Sequence, residues 1–461
     1  MAGSSSTDAL VAGVDLATAD VRVALVDGRG RVAARAQASL APPHRPAPGI
    51  SEQDARSWWP AVARALREAA SGVTGPVVAV AVSATSGTVV LADARFEPVG
   101  PALLYDDGRV PATERWDWLL AQPDAATGAV AHAWHASDLI VGRLTGHPPP
   151  TDWGHALKTG YDPGEGRWTR PGGPAAALRP AEVLPPGSPA GTLSAAAAAA
   201  TGLTEGCPVR LGTTDAGAAQ LAAGADRPGR FVTVLGTTLV VKGASEDRID
   251  DPASGIYSHR HPGGWWLPGG ASNVGGGSLR AGFAEDDLGR LDREAARRGP
   301  AGVVCYPLVR PGERFPFACA DACELWIGAP ADAVERYRAV LEGVAFVERL
   351  GYERLATLGA TATPPVRTAG GGSASAVWSS IRATVLGMPV ARAPSADTAF
   401  GACVLAATGT LHGSLDAASD AMVPEPADPA EPVAADRDRM DDSYGRLVEA
   451  VRERGWVGWP A

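Results

Sequence analysis

Apolar positions in the first part of the chain fall into short blocks that predict β-strands. Three blocks occupy residues 10–40, and Gly28 and Gly30 mark a tight turn between the second and the third. The run PVVAVAVSA at 76–84 is typical of a buried strand. Between residues 52 and 71 the apolar positions recur at helical spacing, which predicts a helix, and residues near 110–150 also look helical.

The pattern restarts in the middle of the chain. The segment PVRLGTTDAGAAQLAAG (208–224) predicts a strand, a turn and a helix. RFVTVLGTTLVVKG (230–243) predicts two strands joined by a Gly-Thr-Thr turn, as does the opening unit at 13–26, which indicates either a weak internal duplication or two unrelated hairpins. The rest is expected to contain loops to about 330, helices at 333–359, 375–387 and 399–409, a surface crossing at 413–437 and a final amphipathic helix.

Composition narrows the classes of protein. The chain has 461 residues, of which 45% are hydrophobic, enough for two large units or three smaller ones. Its formal net charge of −10 argues against nucleic acid or an anionic membrane as a partner, because both require clustered positive charge. A small anion such as ATP stays compatible with this charge, because loop amides and helix N-termini bind phosphate.

Targeting signals and cysteines add little chemistry. The N-terminal residues lack a basic region followed by an apolar run, and no stretch reaches the ~20 apolar residues of a membrane span, so we expect a cytoplasmic protein. The five cysteines are scattered and odd in number, unlike a disulfide framework. Cys319 and Cys323 lie four residues apart, but no second pair or nearby His cluster completes a zinc site.

The first candidate for chemistry is the turn at residues 15–18. Asp15 ends a strand and Thr18 follows three residues later. A carboxylate there can hold hydrated magnesium, and a hydroxyl can touch a phosphate, as phosphoryl transfer requires. The alternative is an ordinary turn aspartate that accepts local hydrogen bonds.

The second candidate is Asp215, which lies between an apolar strand and an apolar helix. The helix dipole would stabilise its anion. Asp215 is then either a helix-capping residue or a general base that orients and deprotonates an attacking hydroxyl.

Two further turns could bind phosphate. Gly236, Thr237 and Thr238 lie between two strands and offer backbone amides and hydroxyls; the alternative is an ordinary hairpin turn. Residues 370–373 read Gly-Gly-Gly-Ser between a strand and a helix, so a flat ligand or a phosphate could approach the backbone closely. The alternative is a flexible loop, and neither a Walker A nor a Gly-x-Gly-x-x-Gly pattern is present.

The order of these motifs is more specific than any one of them. An Asp turn, GTTD, LGTT, AGGGS and FGACVLAATG follow one another, accompanied by GISEQDARSWWPAVARAL, LLYDDGRV and GERFPF. The series resembles the FGGY family of carbohydrate kinases over about residues 10–410. The resemblance implies an α/β fold of two ribonuclease-H-like, actin-like ATPase domains hinged across a central cleft. It implies a sugar-binding domain at 8–224, a nucleotide-binding domain at 228–412, and a tail with an amphipathic helix at 413–461.

The resemblance also implies roles for individual residues. Asp15 would hold the metal ion, and Asp215 would be the catalytic base and contact the sugar. Ser86 and Asp107 would contact the sugar as well. The residues implied in nucleotide binding are Thr18, Gly236, Thr237, Thr238, Gly371, Gly372, Ser373 and Gly401.

The sequence departs from the family pattern at two places. The first motif usually reads Asp-x-Gly-Thr, but Ala17 replaces the glycine and Ala19 a usual serine, which leaves open whether ATP binding is weakened. Residues 83–88 read SATSGT where bacterial xylulose kinases carry Gln-Met-His-Gly. With YDDGR and HALKTGYDPGEGRW, this stretch is more similar to the short D-ribulose kinases. His155 and Lys158 are expected in a surface loop, with a position near the sugar as the alternative.

The resemblance therefore implies transfer of the γ-phosphoryl group of ATP, with Mg²⁺, to the terminal hydroxyl of a pentulose, most specifically D-ribulose. D-xylulose or a polyol is the alternative within the family. An actin-like chaperone ATPase and a non-catalytic sugar sensor are the alternatives of other classes. The partners expected are the sugar and ATP; a homodimer stays open, because the sequence does not give the oligomeric state.

Overall fold

A computed structural model describes residues 9–170, 172–284 and 287–459. Residues 1–8 lie outside the described part. The prediction about N-terminal targeting and the predicted start of the first domain at residue 8 both fall there. The chain forms two compact units. The first comprises residues 1–222, 260–264 and 395–424, and the second comprises 223–259, 265–394 and 425–461. Residues 395–424 thus join the first unit, although the sequence prediction divided them between the second domain and the tail.

Besides two main sheets, the strands form a four-stranded sheet and several two-stranded ones. In chain order they are β1 (Leu10–Leu16), β2 (Asp20–Asp27), β3 (Val32–Ser39), β4 (Glu52–Gln53), β5 (Val77–Ala84), β6 (Val89–Asp93), β7 (Ala102–Leu103), β8 (Val130–His135), β9 (Thr151–Asp152), β10 (Tyr161–Asp162), β11 (Arg167–Trp168), β12 (Val183–Leu184), β13 (Pro189–Thr192), β14 (Pro208–Thr214), β15 (Phe231–Leu235), β16 (Leu239–Gly243), β17 (His259–Arg260), β18 (Trp266–Leu267), β19 (Gly269–Ser272), β20 (Val304–Tyr306), β21 (Leu325–Ile327), β22 (Val366–Ala369) and β23 (Val390–Arg392).

The α-helices cover the sheets and fill the connections. In chain order they are α1 (Trp58–Ser71), α2 (Arg115–Leu120), α3 (Pro123–Thr127), α4 (Ala136–Thr145), α5 (Trp153–Lys158), α6 (Ala195–Thr201), α7 (Asp215–Ala222), α8 (Gly276–Gly282), α9 (Leu288–Arg297), α10 (Ala333–Thr357), α11 (Ala376–Leu386), α12 (Thr398–Ala407), α13 (Leu415–Met422) and α14 (Ala434–Glu453).

The first unit is built on a sheet with the strand order β13-β14-β5-β1-β2-β3. Strands β1, β2 and β3 are antiparallel neighbours, whereas β1, β5 and β14 run parallel. Helix α12 packs closely against β1, since a Cβ on Gly13 would lie 1.9 Å from the carbonyl oxygen of Ala399. Only glycine fits at this position, and this contact fixes helix α12 on the first unit's sheet.

The second unit repeats this plan. Its main sheet has the order β19-β16-β15-β22-β23, with three antiparallel strands followed by parallel ones. Read from the edge, this sequence of directions equals that of β3-β2-β1-β5-β14. The agreement supports the internal duplication over two unrelated hairpins, and it confirms the predicted α/β fold of two like units.

Several predicted elements were wrong. The helical region near 110–150 contains the strand β8, and the expected loops before 330 contain helices α8 and α9. The expected surface crossing contains helix α13, which follows its N-cap Ser414. Helix α1 starts at Trp58, after a short strand and a 3-10 turn that occupy its predicted first residues. None of the helices in the described ranges is long and apolar enough to cross a membrane.

Candidate active site

Three parallel strands of the first unit end at one edge of the sheet. In the register, Asp15 is paired with Ser83, and Ala84 with both Leu16 and Thr214. Ligands of α/β sheets bind at the carboxyl ends of such strands. The topology therefore brings together the Asp15 turn, the loop that contains Ser86, and Asp215, three positions that the sequence analysis singled out separately.

Asp215 is the first residue of helix α7, as predicted. Its Oδ1 accepts hydrogen bonds from the backbone amides of Ala216 at 2.8 Å and of Ser86 at 3.4 Å. Thr214 accepts from the amide of Gly217 and so caps the helix instead of Asp215. The Oδ2 atom makes no hydrogen bond within the described residues, and the side chain is only half-buried. An acceptor oxygen is therefore available to a substrate hydroxyl.

Asp15 is fully buried, and its two carboxylate oxygens differ. Oδ2 accepts from the Thr398 hydroxyl and lies 2.6 Å from Nη2 of Arg22. Oδ1 is buried without a hydrogen-bond partner in the described part of the chain. Burial raises the pKa of Asp15 to about 6, and the nearby carboxylate of Asp215 acts in the same direction. A buried anionic oxygen with no donor fits a cation or a cation-bound water.

The loop that contains Ser86 borders the Asp15 turn. A cavity of about 10 Å³, which is room for one water molecule, lies between Thr18 and the loop residues Thr85 and Thr88. The hydroxyl of Thr88 is buried and lacks a partner among the described residues. The Ser86 side chain is half-buried, at the position from which its amide reaches Asp215.

The carboxylate of Asp107, which was predicted to contact the sugar, is bound by residues of the protein. Its buried carboxylate accepts from the Ser51 amide at 2.8 Å and pairs with Arg109 at 2.7 Å. The bonds from Arg109 and Ser51 lower the pKa of Asp107, although burial opposes them. With these partners the carboxylate organises its own loop, and its predicted contact with the sugar stays a prediction.

Sequence reasoning missed Arg115, which joins the two predicted sugar loops. Its guanidinium donates to the carbonyl oxygens of Gly87 at 2.5 Å, of Tyr105 at 2.9 Å and of Asp107 at 2.7 Å. The residue is 4% exposed. It lies on the first turn of helix α2, where an arginine is typical of a surface position, so the sequence offered no signal for this role.

The surface-loop prediction for His155 and Lys158 was wrong. Both lie in helix α5, which Asp152 caps through the amides of Gly154 and His155. His155 is fully buried and donates to Oδ2 of Asp152 at 2.5 Å and to the Ala84 carbonyl at 3.2 Å.

Both ring nitrogens of His155 face acceptors, so the imidazole is doubly protonated. Burial acts against this charge, but Asp152, the nearby carboxylate of Asp138 and the Ala84 carbonyl outweigh it and raise the pKa of His155 to about 9. Because Ala84 ends strand β5, His155 braces the strand end from which the Ser86 loop starts.

Lys158 lies close to the candidate base. Burial lowers the pKa of Lys158, and the carboxylate of Asp215 opposes that effect. The Lys158 side chain is half-buried, and its charge interacts with that of Asp215. A position near the sugar, the alternative considered from sequence, stays a prediction.

In the second unit the predicted phosphate turn at 236–238 is organised by backbone contacts. The amides of Gly276 and Gly277 donate to the carbonyl oxygens of Gly236 at 2.8 Å and of Thr237 at 2.9 Å. A Cβ on Gly275 would lie 2.7 Å from the carbonyl carbon of Thr238. Thr237 is exposed and Thr238 half-buried, so both hydroxyls remain accessible.

The glycine segment at 370–373 meets the same turn. Gly370 has φ +84°, and a Cβ there would lie 2.7 Å from the Leu235 carbonyl oxygen. A Cβ on Gly372 would lie 2.6 Å from the Leu235 side chain, whereas one on Gly371 would meet no atom within 4 Å. Ser373 is buried, and its hydroxyl donates to Gly370. Gly371 is therefore the glycine that faces open space.

The structure explains why residue 401 is a glycine and why residue 17 need not be one. A Cβ on Gly401 would lie 2.0 Å from the Ala218 carbonyl oxygen, so this glycine is required where helix α12 packs on helix α7. Its predicted nucleotide contact stays a prediction. Ala17 is not one of the described non-glycine residues with positive φ, which are Phe96 and Asp428. The turn at 15–18 therefore does not need a glycine for its backbone conformation.

A ribonuclease-H-like unit with carboxylates at its strand ends, together with a second such unit that carries glycine-rich turns, is what the fold of an ATP-dependent sugar kinase requires. The chain belongs to the FGGY family of carbohydrate kinases. The sequence model of the family's N-terminal domain matches residues 10–123, and the model of its C-terminal domain matches residues 231–410. In the described part of the chain, no group of three or more His, Cys, Asp or Glu residues could hold a metal ion by itself.

Known relatives agree with this assignment. The chain is 30% identical to a xylulose kinase of Streptomyces coelicolor, over 90% of this chain and 91% of that protein. It is 29% identical to a xylulose kinase of Streptomyces rubiginosus, over 98% and 99% of the two chains. The crystal structure of xylulose kinase from Rhodospirillum rubrum superposes with a TM-score of 0.84 at 26% identity and covers 96% of this chain and 98% of that one.

Proposed function

We propose that this sugar kinase phosphorylates the terminal hydroxyl of a pentulose, with Asp215 as the base, and that D-ribulose is its preferred substrate. The observation that carries the proposal is the contact between the Ser86 amide and Oδ1 of Asp215. It joins the candidate base to the loop whose sequence differs from that of bacterial xylulose kinases. A hydroxyl bound to Oδ2 would therefore lie beside this loop.

Asp215 would act mainly by orientation. Its Oδ1 is held by two backbone amides, so the carboxylate has a fixed direction, and Oδ2 can accept the substrate's hydroxyl proton. A carboxylate is a weak base and would take this proton late, when the oxygen has begun to bond to phosphorus. The Lys158 ammonium nearby would balance the negative charge of the reacting groups.

Asp15 fits the Mg²⁺ that such a kinase would use with ATP. Its Oδ1 is buried and lacks a donor within the described ranges, while Thr398 and Arg22 hold Oδ2. When bound, Mg²⁺ would neutralise part of the phosphate charge. With one protein carboxylate available, the other ligands would have to come from phosphate oxygens and water.

The choice of pentulose depends on the configuration at one carbon. D-Ribulose and D-xylulose differ at C3, so the partner that the C3 hydroxyl finds decides between them. Ser86 is short and half-buried, next to an amide that already contacts Asp215. D-Xylulose is the second candidate, since the relatives named above are xylulose kinases.

A screen of ADP release tests this proposal. The purified protein would be supplied with MgATP and, in turn, D-ribulose, D-xylulose, xylitol, ribitol and glycerol. We expect kcat/KM for D-ribulose to exceed that for D-xylulose by at least about tenfold, the value of one buried hydrogen bond. A higher value for D-xylulose would reject the D-ribulose assignment and leave the pentulose kinase in place. Activity with glycerol alone would reject both.

A further inference from the structure

Helix α8 brings a cation to the phosphate turn of the second unit. Nη2 of Arg280 lies 2.5 Å from the hydroxyl oxygen of Thr237 and donates to it. Arg280 is exposed, and no carboxylate pairs with it among the residues that the structure describes. It is separated from Thr237 by 43 residues in sequence, so no short sequence motif contains both residues.

The position of Arg280 is fixed by the backbone. Helix α8 begins where Gly276 and Gly277 donate to the carbonyls of Gly236 and Thr237. The same residues leave no room for side chains, since a Cβ on Gly277 would lie 2.9 Å from the Thr237 carbonyl oxygen. The base of the helix is thus joined to the turn, and the guanidinium follows one turn later.

The charge around the turn makes this arginine unusual. Segments 236–238, 275–280 and 370–375 contain one charged side chain, that of Arg280. The whole chain carries a formal charge of −10, which opposes the approach of a nucleotide polyphosphate. Arginine has a planar set of donors that suits phosphate oxygens, and charge-assisted hydrogen bonds are the stronger kind.

We infer that Arg280 binds the terminal phosphates of the nucleotide and leaves the Thr237 hydroxyl when the nucleotide arrives. Within the proposed function, this makes Arg280 the residue that selects a polyphosphate over a nucleoside monophosphate. The backbone amides of the turn would hold any phosphate, whereas Arg280 would add affinity only when a second phosphate is present.

Binding of ADP and AMP, measured by isothermal titration calorimetry without sugar, tests this inference. In Arg280→Gln we expect ADP affinity to fall about 10- to 100-fold, the range for losing charge-assisted hydrogen bonds, and AMP affinity to change by less than about threefold. Arg280→Lys should fall between the glutamine variant and the wild type. An equal loss for ADP and AMP, or ADP affinity within about threefold of wild type, would overturn the inference, as would a lysine variant weaker than the glutamine variant.

Two controls separate this result from other causes. Arg290→Gln removes the same charge from an exposed arginine that already pairs with Glu294, and it should leave ADP affinity unchanged. A drop in this control equal to that in Arg280→Gln would show a general charge effect and overturn the inference. If the wild type binds ADP in this way but phosphorylates no pentulose, the Arg280 inference stands and the proposed substrate is wrong.

Discussion

The turn after strand β1 in the first unit carries a buried carboxylate held by side chains, whereas the turn after strand β15 in the second unit is uncharged and held by backbone. Asp15 contacts Arg22 and Thr398, while residues 236–238 are contacted by the amides of Gly276 and Gly277. Both turns join the first two strands of their unit, and the five strands of the second sheet match five of the six strands of the first in order and direction. One arrangement of strands thus carries two turns that are held in different ways.

The two units also differ in what holds their candidate site residues in place. The first unit depends on side chains with fixed partners, such as Asp15, Asp215 and the buried His155. The second depends on positions where a side chain would collide with backbone, together with one exposed arginine. Conservative substitutions should therefore affect the first unit through lost charge and the second through lost space.

The largest effect on turnover should come from removing the charge of Asp215 in the first unit. Asp215→Asn keeps the shape of the side chain but removes the base, and we expect turnover to fall by roughly 10²–10⁴-fold with little change in stability. Initial rates of ADP release with saturating pentulose and MgATP measure this. The matched control is Asp124→Asn, which removes an exposed carboxylate of the same unit. Turnover of Asp215→Asn within a few fold of wild type would reject the role.

What the sequence could predict follows the same division. Asp15, Asp215 and the Gly-Thr-Thr turn lie at strand ends that short-range patterns locate, so their elements were predicted correctly. Arg115 and Arg280 were missed because their partners are separated from them in sequence, and an arginine in a helix resembles a surface residue. His155 was predicted in a surface loop because the surrounding sequence is polar. The sequence does not show that an ion pair with Asp152 makes the burial of His155 favourable.

A second test concerns the buried charge of His155 in the first unit. Its pKa is raised from the ordinary 6.5 to about 9, so the folded state holds the proton more tightly than the unfolded state. This stabilisation, on the order of 3 kcal/mol, is complete below pH 6.5 and is lost as the pH rises through about 9.

Urea unfolding of the wild type and of His155→Gln, from pH 6 to pH 10, would measure the difference. We expect the free energy of unfolding of the wild type to exceed that of the variant at low pH and the gap to narrow above pH 8. His147→Gln, at an exposed histidine, serves as the control. A gap that stays constant over this range would mean that His155 is a neutral packing residue.

A larger side chain at Gly371 tests the predicted nucleotide contact in the second unit. Gly371 is the position where a Cβ meets no protein atom, so Gly371→Val should fold normally and obstruct a ligand instead. We expect ATP affinity to fall about 10- to 100-fold through lost hydrogen bonds to phosphate or nucleoside, while pentulose affinity is kept. Gly372→Val is the contrast, because its side chain would collide with Leu235 and lower the unfolding temperature. Unchanged ATP binding in Gly371→Val, measured by calorimetry, would reject the assignment.

The smallest expected effect concerns the choice of sugar by the first unit. The backbone amide of Ser86 contacts Asp215, and the same residue carries a hydroxyl that could meet the sugar. A buried polar group left without a partner costs about 1–3 kcal/mol, so the wrong configuration at C3 should lower kcat/KM by roughly tenfold or more. Ser86→Ala removes the hydroxyl and should bring the ratio of kcat/KM for D-ribulose and D-xylulose towards one. Its ATPase rate without sugar should fall less than its rate with D-ribulose, because the lost hydroxyl is proposed to contact the sugar. If the ratio is the same in the variant and the wild type, Ser86 does not select the sugar, and another part of the first unit must do so.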